Sequence, residues 1–466
     1  MISQASVSET RVDFRRLIIY NINGTESKGG KSVPKIIDLF AGLGGIRLGF
    51  QQAMDELGLE TECVFSSEIK PYAIRAYKEF YGDEKIFGDI TLVNTNKDIP
   101  DFDYLLAGFP CQPFSSAGNR NGFADTRGTL FFEIERILQD KIDVNHPARG
   151  FLLENVEGLM NHDKGNTLNT MITHLKQLGY YVNCKLLDSR EFGLPQSRKR
   201  VYIVGSLDEE INLDKFKKRK AVLGDILQRG LPTVDTEFTK KLFANYTPQE
   251  VIGKSIKDKR GGENNIHSWD IDLKGHTSQA ERELMNALLR ERRKKHWAEK
   301  IGIKWMDGMP LTEEQIRTFF NVPELHKILE HLTQMGYLMY EHPKKQIKNE
   351  SGIMKRIPDE TKDKGYNIVA GKLSFEFAKI LNPQDIAPTL VAMDVAKLGV
   401  VDGNGIRRLT IRECQRLCGY PDDYSLDMLS ETDAFDLLGN TVCVPVIKDI
   451  SLRMGKSLIN NTDGGM

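Results

Sequence analysis

Between residues 34 and 205 short, nearly continuous apolar runs alternate with stretches of helical periodicity. Lys35-Ile36-Ile37-Asp38-Leu39-Phe40, Val64-Phe65-Ser66-Ser67-Glu68, Tyr104-Leu105-Leu106-Ala107, Gly150-Phe151-Leu152-Leu153, Tyr180 to Leu187 and Val201-Tyr202-Ile203-Val204-Gly205 read as strands. Unbroken apolar runs, as opposed to strict alternation, are expected of strands covered on both faces. Helices are predicted from Ile46 to Leu57, from Leu130 to Gln139 and from Leu168 to Leu178. Strand followed by helix, repeated, predicts an α/β sheet. From about 206 to 381 the pattern changes. Ser278 to Lys300, Leu311 to Ile316 and Pro323 to Met335 read as helices, the second opened by Thr312 with Gln315 downstream as a capping pair. Gly336 to Tyr340 reads as a strand before the basic turn Lys344-Lys345-Gln346-Ile347-Lys348, an order compatible with a partly winged-helix-like piece or with a small domain of another topology. Ile386 to Val391 marks a return to the first pattern.

Composition narrows the class. The chain has 466 residues, 40% hydrophobic and 28% charged, which is ordinary for a globular protein of two or three domains. No run of about 18 apolar residues exists to cross a membrane, and the amino terminus lacks the order of a secretory signal, so a cytoplasmic protein is expected. The six cysteines form no C-x-x-C pair and join no histidine at zinc-site spacing, so no metal is expected. The net charge of -1 hides a division: residues 211 to 370 carry 30 Lys and Arg against 23 Asp and Glu, and the remainder 34 against 42. Each basic cluster alone suits a solvated face. Gathered in one segment, they suit a phosphate backbone.

The candidate chemistry sits where predicted strands end. Ala41-Gly42-Leu43-Gly44-Gly45 is a glycine turn between strand and helix, whose spacing differs from the dinucleotide fingerprint G-x-G-x-x-G. Glu68 closes the next strand about 24 residues after Gly44, where an acid in such folds binds ribose hydroxyls, and Asp89 follows a third strand end. Either acid is also compatible with a helix cap or a turn. Side by side, they point to an adenosine-type cofactor. Gly108-Phe109-Pro110-Cys111-Gln112-Pro113 holds a cysteine between two prolines that fix the backbone, compatible with a buried structural thiol or a nucleophile. The polar run Ala117 to Thr129 beside it reads as a lid. Glu154 brings a second titratable group to the same edge, and Arg198 and Arg200 enter a strand from a loop closed by Pro195.

In this order, Asp38-Leu39-Phe40-Ala41-Gly42-Leu43-Gly44-Gly45, Glu68, Gly88-Asp89-Ile90, Gly108-Phe109-Pro110-Cys111-Gln112, Glu154-Asn155-Val156, Gln196-Ser197-Arg198-Lys199-Arg200, Arg407 to Pro421 and Gly439-Asn440-Thr441-Val442-Cys443-Val444-Pro445 resemble the motif series of the DNA (cytosine-5) methyltransferases of bacterial restriction-modification systems. The resemblance covers roughly 34 to 205 and 382 to 455. It implies a Rossmann-like α/β methyltransferase sheet that binds S-adenosylmethionine, with a separate, smaller target-recognition domain. It implies Cys111 as the nucleophile on cytosine C6, Glu154 as the donor to N3 and Arg200 as the donor to O2, with Arg198 in support. It further implies cofactor contacts from Phe40, Gly42, Leu43, Gly44, Gly45, Glu68, Asp89 and Ile90, closed by Asn440, Thr441 and Val442.

The expected organisation is an amino-terminal extension (1–33, with a short ordered piece from Phe14 to Tyr20), a catalytic part (34–205), a target-recognition domain (206–381), a return to the catalytic part (382–455) and a tail (456–466). The expected partner is double-stranded DNA, with no membrane, no obligatory protein partner, a monomeric chain, and a cognate restriction endonuclease acting on the same site. Two alternatives share the catalytic motifs. An RNA cytosine methyltransferase is opposed by the long basic insert, and a silent DNA-binding regulator by the presence of Cys111, Glu154 and Arg200 together. Of the three tryptophans, all in the middle segment, two are expected in a small-domain core.

Overall fold

The computed structural model describes residues 33–82, 85–110, 129–259, 261–262, 264–304, 308–348, 354–369 and 375–463. The expectations for Phe14 to Tyr20, for Cys111, for the run from Ala117 to Gly128 and for Trp305 lie outside the described residues.

Seven strands, β1 (Lys35–Leu39), β2 (Glu62–Ser67), β3 (Ile86–Phe87), β4 (Tyr104–Gly108), β5 (Gly150–Val156), β6 (Tyr181–Asp188) and β7 (Lys199–Ser206), form one sheet in the order β3-β2-β1-β4-β5-β7-β6. Neighbours from β3 through β5 pair in parallel, and β7 runs antiparallel to both β5 and β6. The apolar runs account for this directly. Ile37, Leu39, Leu105, Ala107, Phe151 and Leu153 enter one core, while Ile36, Tyr104, Leu106 and Leu152 enter another, so both faces are covered. Helices α1 (Gly45–Glu56), α2 (Pro71–Tyr81), α3 (Thr129–Asp143) and α4 (Asn166–Gln177) connect the strands. The chain builds outward from β1 to β3, then crosses back to β4, which makes β1 and β4 the point where strand order reverses. In open α/β sheets that reversal is where ligands bind.

Two strands run further than expected. β5 continues through Val156 and β7 begins at Lys199, so Glu154 and Arg200 are strand residues and not loop residues. The antiparallel ladder between them, with Val156 opposite Arg200, extends both.

The chain divides into two compact units, one of residues 1–227, 384–395 and 410–466 and one of residues 228–383 and 396–409. The contact division thus falls at 228 and 384, beside the expected boundaries of 206 and 382. Residues just after β7 stay with the first unit because the Arg219 backbone pairs with Glu191 and Gly193, and the Leu223 N–H with the Asp385 carbonyl.

In the second unit the order is α5 (Glu237–Asn245), β8 (Ser255–Ile256), β9 (Asn265–Ile266), α6 (Gln279–Glu291), α7 (Glu313–Arg317), α8 (Leu325–Gln334), β10 (Leu338–Glu341), β11 (Lys344–Lys348), β12 (Met354–Pro358), β13 (Gly365–Ile368), β14 (Lys379–Ile380), β15 (Leu398–Asp402) and β16 (Gly405–Arg408). β15 and β16 extend a five-stranded sheet ordered β16-β15-β14-β8-β9, which is why Arg407 and Arg408, read as part of the catalytic return, belong here. Helices α6 and α7 open on reciprocal capping boxes, Ser278 with Glu281 and Thr312 with Gln315. Trp269 and Trp297 are core residues, packed with Leu284, Leu288, Leu329 and Leu332.

The chain closes in the first unit with α9 (Ile411–Cys418), α10 (Glu431–Asn440) and α11 (Val444–Asp463). Val446, Ile447, Ile450 and Met454 of α11 join Ile46, Phe50 and Met54 of α1 in one core. Cys414 and Cys418 share the buried face of α9. No described helix is long and apolar enough to cross a membrane.

Candidate active site

Register brings the candidate residues to one edge. Phe87, Ser67, Leu39, Ala107 and Leu153 form a single row across β3, β2, β1, β4 and β5. The residues one or two positions beyond that row are Asp89, Glu68, Phe40, Gly108 with Phe109, and Glu154. Five strand ends therefore deliver a glycine turn, three carboxyl groups and the entry to the Pro110-Cys111 loop to the same side of the sheet.

The glycine turn is held from three directions. Phe40, Gly42 and Gly44 all have positive φ, at 55°, 55° and 65°. Glu68 Oε2 accepts the Gly42 N–H at 2.8 Å, the Tyr424 hydroxyl donates to the Leu43 carbonyl at 2.7 Å, and the Tyr81 hydroxyl donates to the Gly44 carbonyl at 2.8 Å. Around Gly42 there is open space: apart from its two chain neighbours, nothing lies closer to the position of a Cβ than the Phe40 carbonyl at 4.0 Å. That is what a ligand approaching the backbone requires. Gly45 is different: a Cβ there would lie 2.4 Å from the Tyr420 hydroxyl and 2.8 Å from Val442. Packing of the turn against the segment after α9 and the start of α11 explains this glycine, and Leu43 is likewise buried.

Glu68 is braced. Besides Gly42, its Oε1 accepts the N–H groups of Ile69 and Lys70 at 2.8 and 2.9 Å. Asp89 Oδ1 accepts the Thr91 N–H and hydroxyl at 2.9 and 2.8 Å, capping a short 3-10 turn. Two aliphatic side chains that the sequence reading passed over stand next to these acids: Ile69 is 69% exposed and Leu92 83% exposed. Exposed aliphatic groups beside carboxylates suit a flat apolar ring with polar edges. For Ile69 the available signal was an apolar residue directly after a strand-terminal acid; Leu92, three residues after Asp89, carried none. Ile90, by contrast, points its side chain into the core and has only main-chain atoms to offer a ligand.

Glu154 and Arg200 form a buried pair. Arg200 Nε lies 2.9 Å from Glu154 Oε1, and Arg200 Nη1 donates to the Lys199 carbonyl. Glu154 is 8% exposed. Burial raises its carboxyl above the ordinary range and outweighs the opposing pull of Arg200 and Arg198; burial likewise lowers Arg200. The group is a carboxyl poised to hold a proton next to a guanidinium. Asn155, given no role from sequence, donates from Nδ2 to the Phe109 carbonyl at 3.2 Å and so fixes the backbone leading to Pro110 and Cys111.

Arg198 does not join this pair. It is 2% exposed, its Nη1 donating to the Leu390 carbonyl at 3.0 Å and its Nη2 to the Gly439 carbonyl at 3.1 Å. Gln196 acts alike, donating to the Leu417 carbonyl and accepting the Leu390 N–H. This loop sutures the returning chain to the sheet. The return presents Asn440, whose Nδ2 is held by Asp436; Thr441, whose hydroxyl meets that of Tyr420 at 2.5 Å; and the buried Val442. Asp436 in turn takes Lys70 Nζ at 2.7 Å and the Tyr72 hydroxyl at 2.8 Å, tying α10 to the start of α2. Among the described residues no cluster of three or more His, Cys, Asp or Glu is arranged to hold a metal ion.

A strand-order reversal with a ligand-accessible glycine turn, flanking carboxylates and a buried carboxyl–guanidinium pair defines an α/β methyltransferase fold. The family model of the C-5 cytosine-specific DNA methylases matches residues 34–456. The chain is 55% identical over 427 residues to the type II methyltransferase M.NlaIV of Neisseria lactamica, spanning 90% of this chain and 98% of that one. It is 41% identical over 461 residues to the type II methyltransferase M.BanI of Aneurinibacillus aneurinilyticus, spanning 93% and 98%. In fold it is similar to the Entamoeba histolytica methyltransferase EhMeth, with a TM-score of 0.51 and 13% identity over 92% of this chain and 99% of that one. The chain belongs to the C-5 cytosine-specific DNA methylases, of the bacterial restriction-modification type.

Proposed function

We propose that this enzyme uses S-adenosylmethionine to methylate C5 of a cytosine flipped out of duplex DNA at one short sequence, protecting that sequence from a cognate restriction endonuclease. The observation that carries the reading is the Glu154–Arg200 pair, with Glu154 directly opposite Gly108 at the end of the strand that leads into Pro110. Cytosine C5 is a poor nucleophile until C6 is attacked. Cys111 as thiolate adds to C6, and the negative charge that develops on the ring is neutralised by the Glu154 proton at N3 and by an Arg200 N–H at O2. Once C5 carries the methyl group, loss of the C5 proton to a base expels the Cys111 thiolate, N3 returns its proton to Glu154, and the aromatic ring is restored. Because C6 lies within the base stack, the target must leave the helix, at a cost of a few kcal/mol.

The residues present fit the methyl donor. The open approach at Gly42, the carboxylates of Glu68 and Asp89 for hydroxyl and amino groups, and the exposed Ile69 and Leu92 for a purine face support binding there, with Phe40, Gly44, Gly45 and the Ile90 backbone lining the turn and Asn440, Thr441 and Val442 closing it. When bound, S-adenosylmethionine supplies the electrophilic methyl carbon that the activated C5 takes up. Arg198 supports the reaction by holding the returning chain.

Base-resolution mapping of cytosine methylation in a methylation-free bacterial host expressing this chain tests the proposal. Expected is 5-methylcytosine confined to one short motif, lost in Cys111→Ser. Unmethylated DNA, with expression and S-adenosylmethionine binding verified, overturns it.

A further inference from the structure

We infer that the β-ribbon of the second unit, β11 with β12, is the element that enters the major groove and reads the target sequence, with Gln346 and Arg356 contacting base edges. The inference rests on the reading of the chain as a DNA methyltransferase and names the structure that gives it specificity.

Among the described residues the ribbon pairs only with itself, as a two-stranded sheet. Its ten residues include Lys344, Lys345, Lys348, Lys355 and Arg356 and no carboxylate. All five are exposed. Lys344 and Lys345 approach Glu341 and Asp359 at the base, at 3.7 and 3.1 Å; among the described residues Lys348, Lys355 and Arg356 make no ion pair. A two-stranded ribbon has the width that the major groove of B-form DNA admits.

The register assigns each side chain a face. Gln346 lies directly opposite Arg356, and Lys348 opposite Met354, so that Lys344, Gln346, Lys348, Met354 and Arg356 share one side. Lys345, Ile347, Lys355 and Ile357 share the other. An amide and a guanidinium side by side are the two groups best matched to purine edges, Gln to adenine N6 and N7 and Arg to guanine O6 and N7. Lysines at both ends of the same face supply phosphate contacts that position it.

The helix of this unit that precedes the ribbon is less suited. On α8, His326 is bonded to Glu313 and approaches Glu330, and His331 is bonded to Glu281. Its one lysine, Lys327, is matched by one glutamate, Glu330, and approaches Glu324, the residue that caps the helix, at 3.9 Å. A surface whose charges are paired internally has little positive potential to offer a phosphate backbone. Duplex RNA is disfavoured as the target because its deep, narrow major groove does not admit side chains to the base edges.

The test uses the full chain and four variants: Gln346→Ala, Arg356→Lys, the triple Lys344→Gln/Lys348→Gln/Lys355→Gln, and the α8 control His326→Ala/Lys327→Ala. Methylation is mapped at base resolution in host DNA, and binding to sheared bacterial genomic duplex is followed against salt. Tryptophan fluorescence through a denaturant titration, which reads Trp269 and Trp297 in the core of the second unit, reports that the fold of each variant is intact. Arg356→Lys keeps the charge and loses the fork, so methylation at the native motif is expected to fall on the order of 10- to 100-fold with relaxed choice at one base pair, while the salt slope is unchanged. Gln346→Ala is expected to relax a different position. The triple variant is expected to keep the motif and to lose about one unit of salt slope per phosphate contact removed. The α8 control is expected to match the native enzyme.

Native motif and rate in both Arg356→Lys and Gln346→Ala overturn base reading by the ribbon. So does a changed motif in the α8 control. Failure of the unaltered chain to methylate any DNA motif overturns the function itself, a result separate from either of these.

Discussion

At the scale of single residues, the chemistry turns on how burial treats Glu154. Removing a carboxyl from water disfavours its charged form, and Arg200 at 2.9 Å offsets only part of that penalty. The raised value means that Glu154 retains a proton at a pH where an exposed glutamate, near 4.3, has lost it. A step that needs this proton at cytosine N3 therefore slows as pH rises through the raised value. Glu154→Gln should lower the single-turnover methylation rate by about 10²- to 10⁴-fold and abolish that alkaline limb, with duplex binding retained. An unaltered pH profile in the variant would assign the limb to another group. The same shift carries a stability consequence. Native protein binds more protons than unfolded chain between the two pKa values, so stability falls as pH rises from about 4.3 through the native value, and less so in the variant.

At the scale of elements, the catalytic edge is assembled by loops that grip backbone. Arg198 occupies two buried carbonyls, those of Leu390 and Gly439, which belong to segments almost 200 residues or more away in sequence. Arg198→Ala leaves both unpaired and is expected to destabilise the first unit by about 2–5 kcal/mol in a denaturant titration. Arg198→Lys, a point charge without the fork, should recover less than half of the loss. Near-complete recovery by lysine would show that charge and not bidentate geometry is what matters. Motif spacing marked Arg198 as important, but its contacts arise only when the returning chain lies across the sheet. Gly45 carries the same lesson, since its lack of a side chain answers to Tyr420 and Val442, partners that no local pattern reveals.

At the scale of the whole molecule, each unit carries its own apolar core. The first is built on the sheet, and the second on clusters around Trp269 and Leu329 and around Phe377 and Ile406. Loosening one core should therefore separate the two binding activities. Leu329 is fully buried, and Leu329→Ala is expected to cost about 2–5 kcal/mol in the second unit. Affinity for S-adenosylmethionine, measured calorimetrically, should remain within about twofold, while affinity for duplex DNA falls at least tenfold. Equal loss of both would mean that the units fold as one cooperative body.

The sequence by itself determined the catalytic sheet. Continuous apolar runs can be buried only between two covering layers, and glycine, acid and proline at their ends reflect local backbone needs that a reader of sequence can see. The places of Glu154, Glu68 and the glycine turn at the sheet edge were legible for that reason, and the capping boxes of α6 and α7 likewise. Tertiary structure alone decided what those residues touch. It extended β5 and β7 through Glu154 and Arg200, because ladder hydrogen bonds stabilise polar strand residues that lack an apolar pattern. It turned Ile90 into the core, exposed Ile69 and Leu92 beside the acids, and moved β15 and β16 into the second unit by pairing them with β14. Local order follows from neighbours in sequence; partners brought together across hundreds of residues follow from packing, which no window of sequence contains.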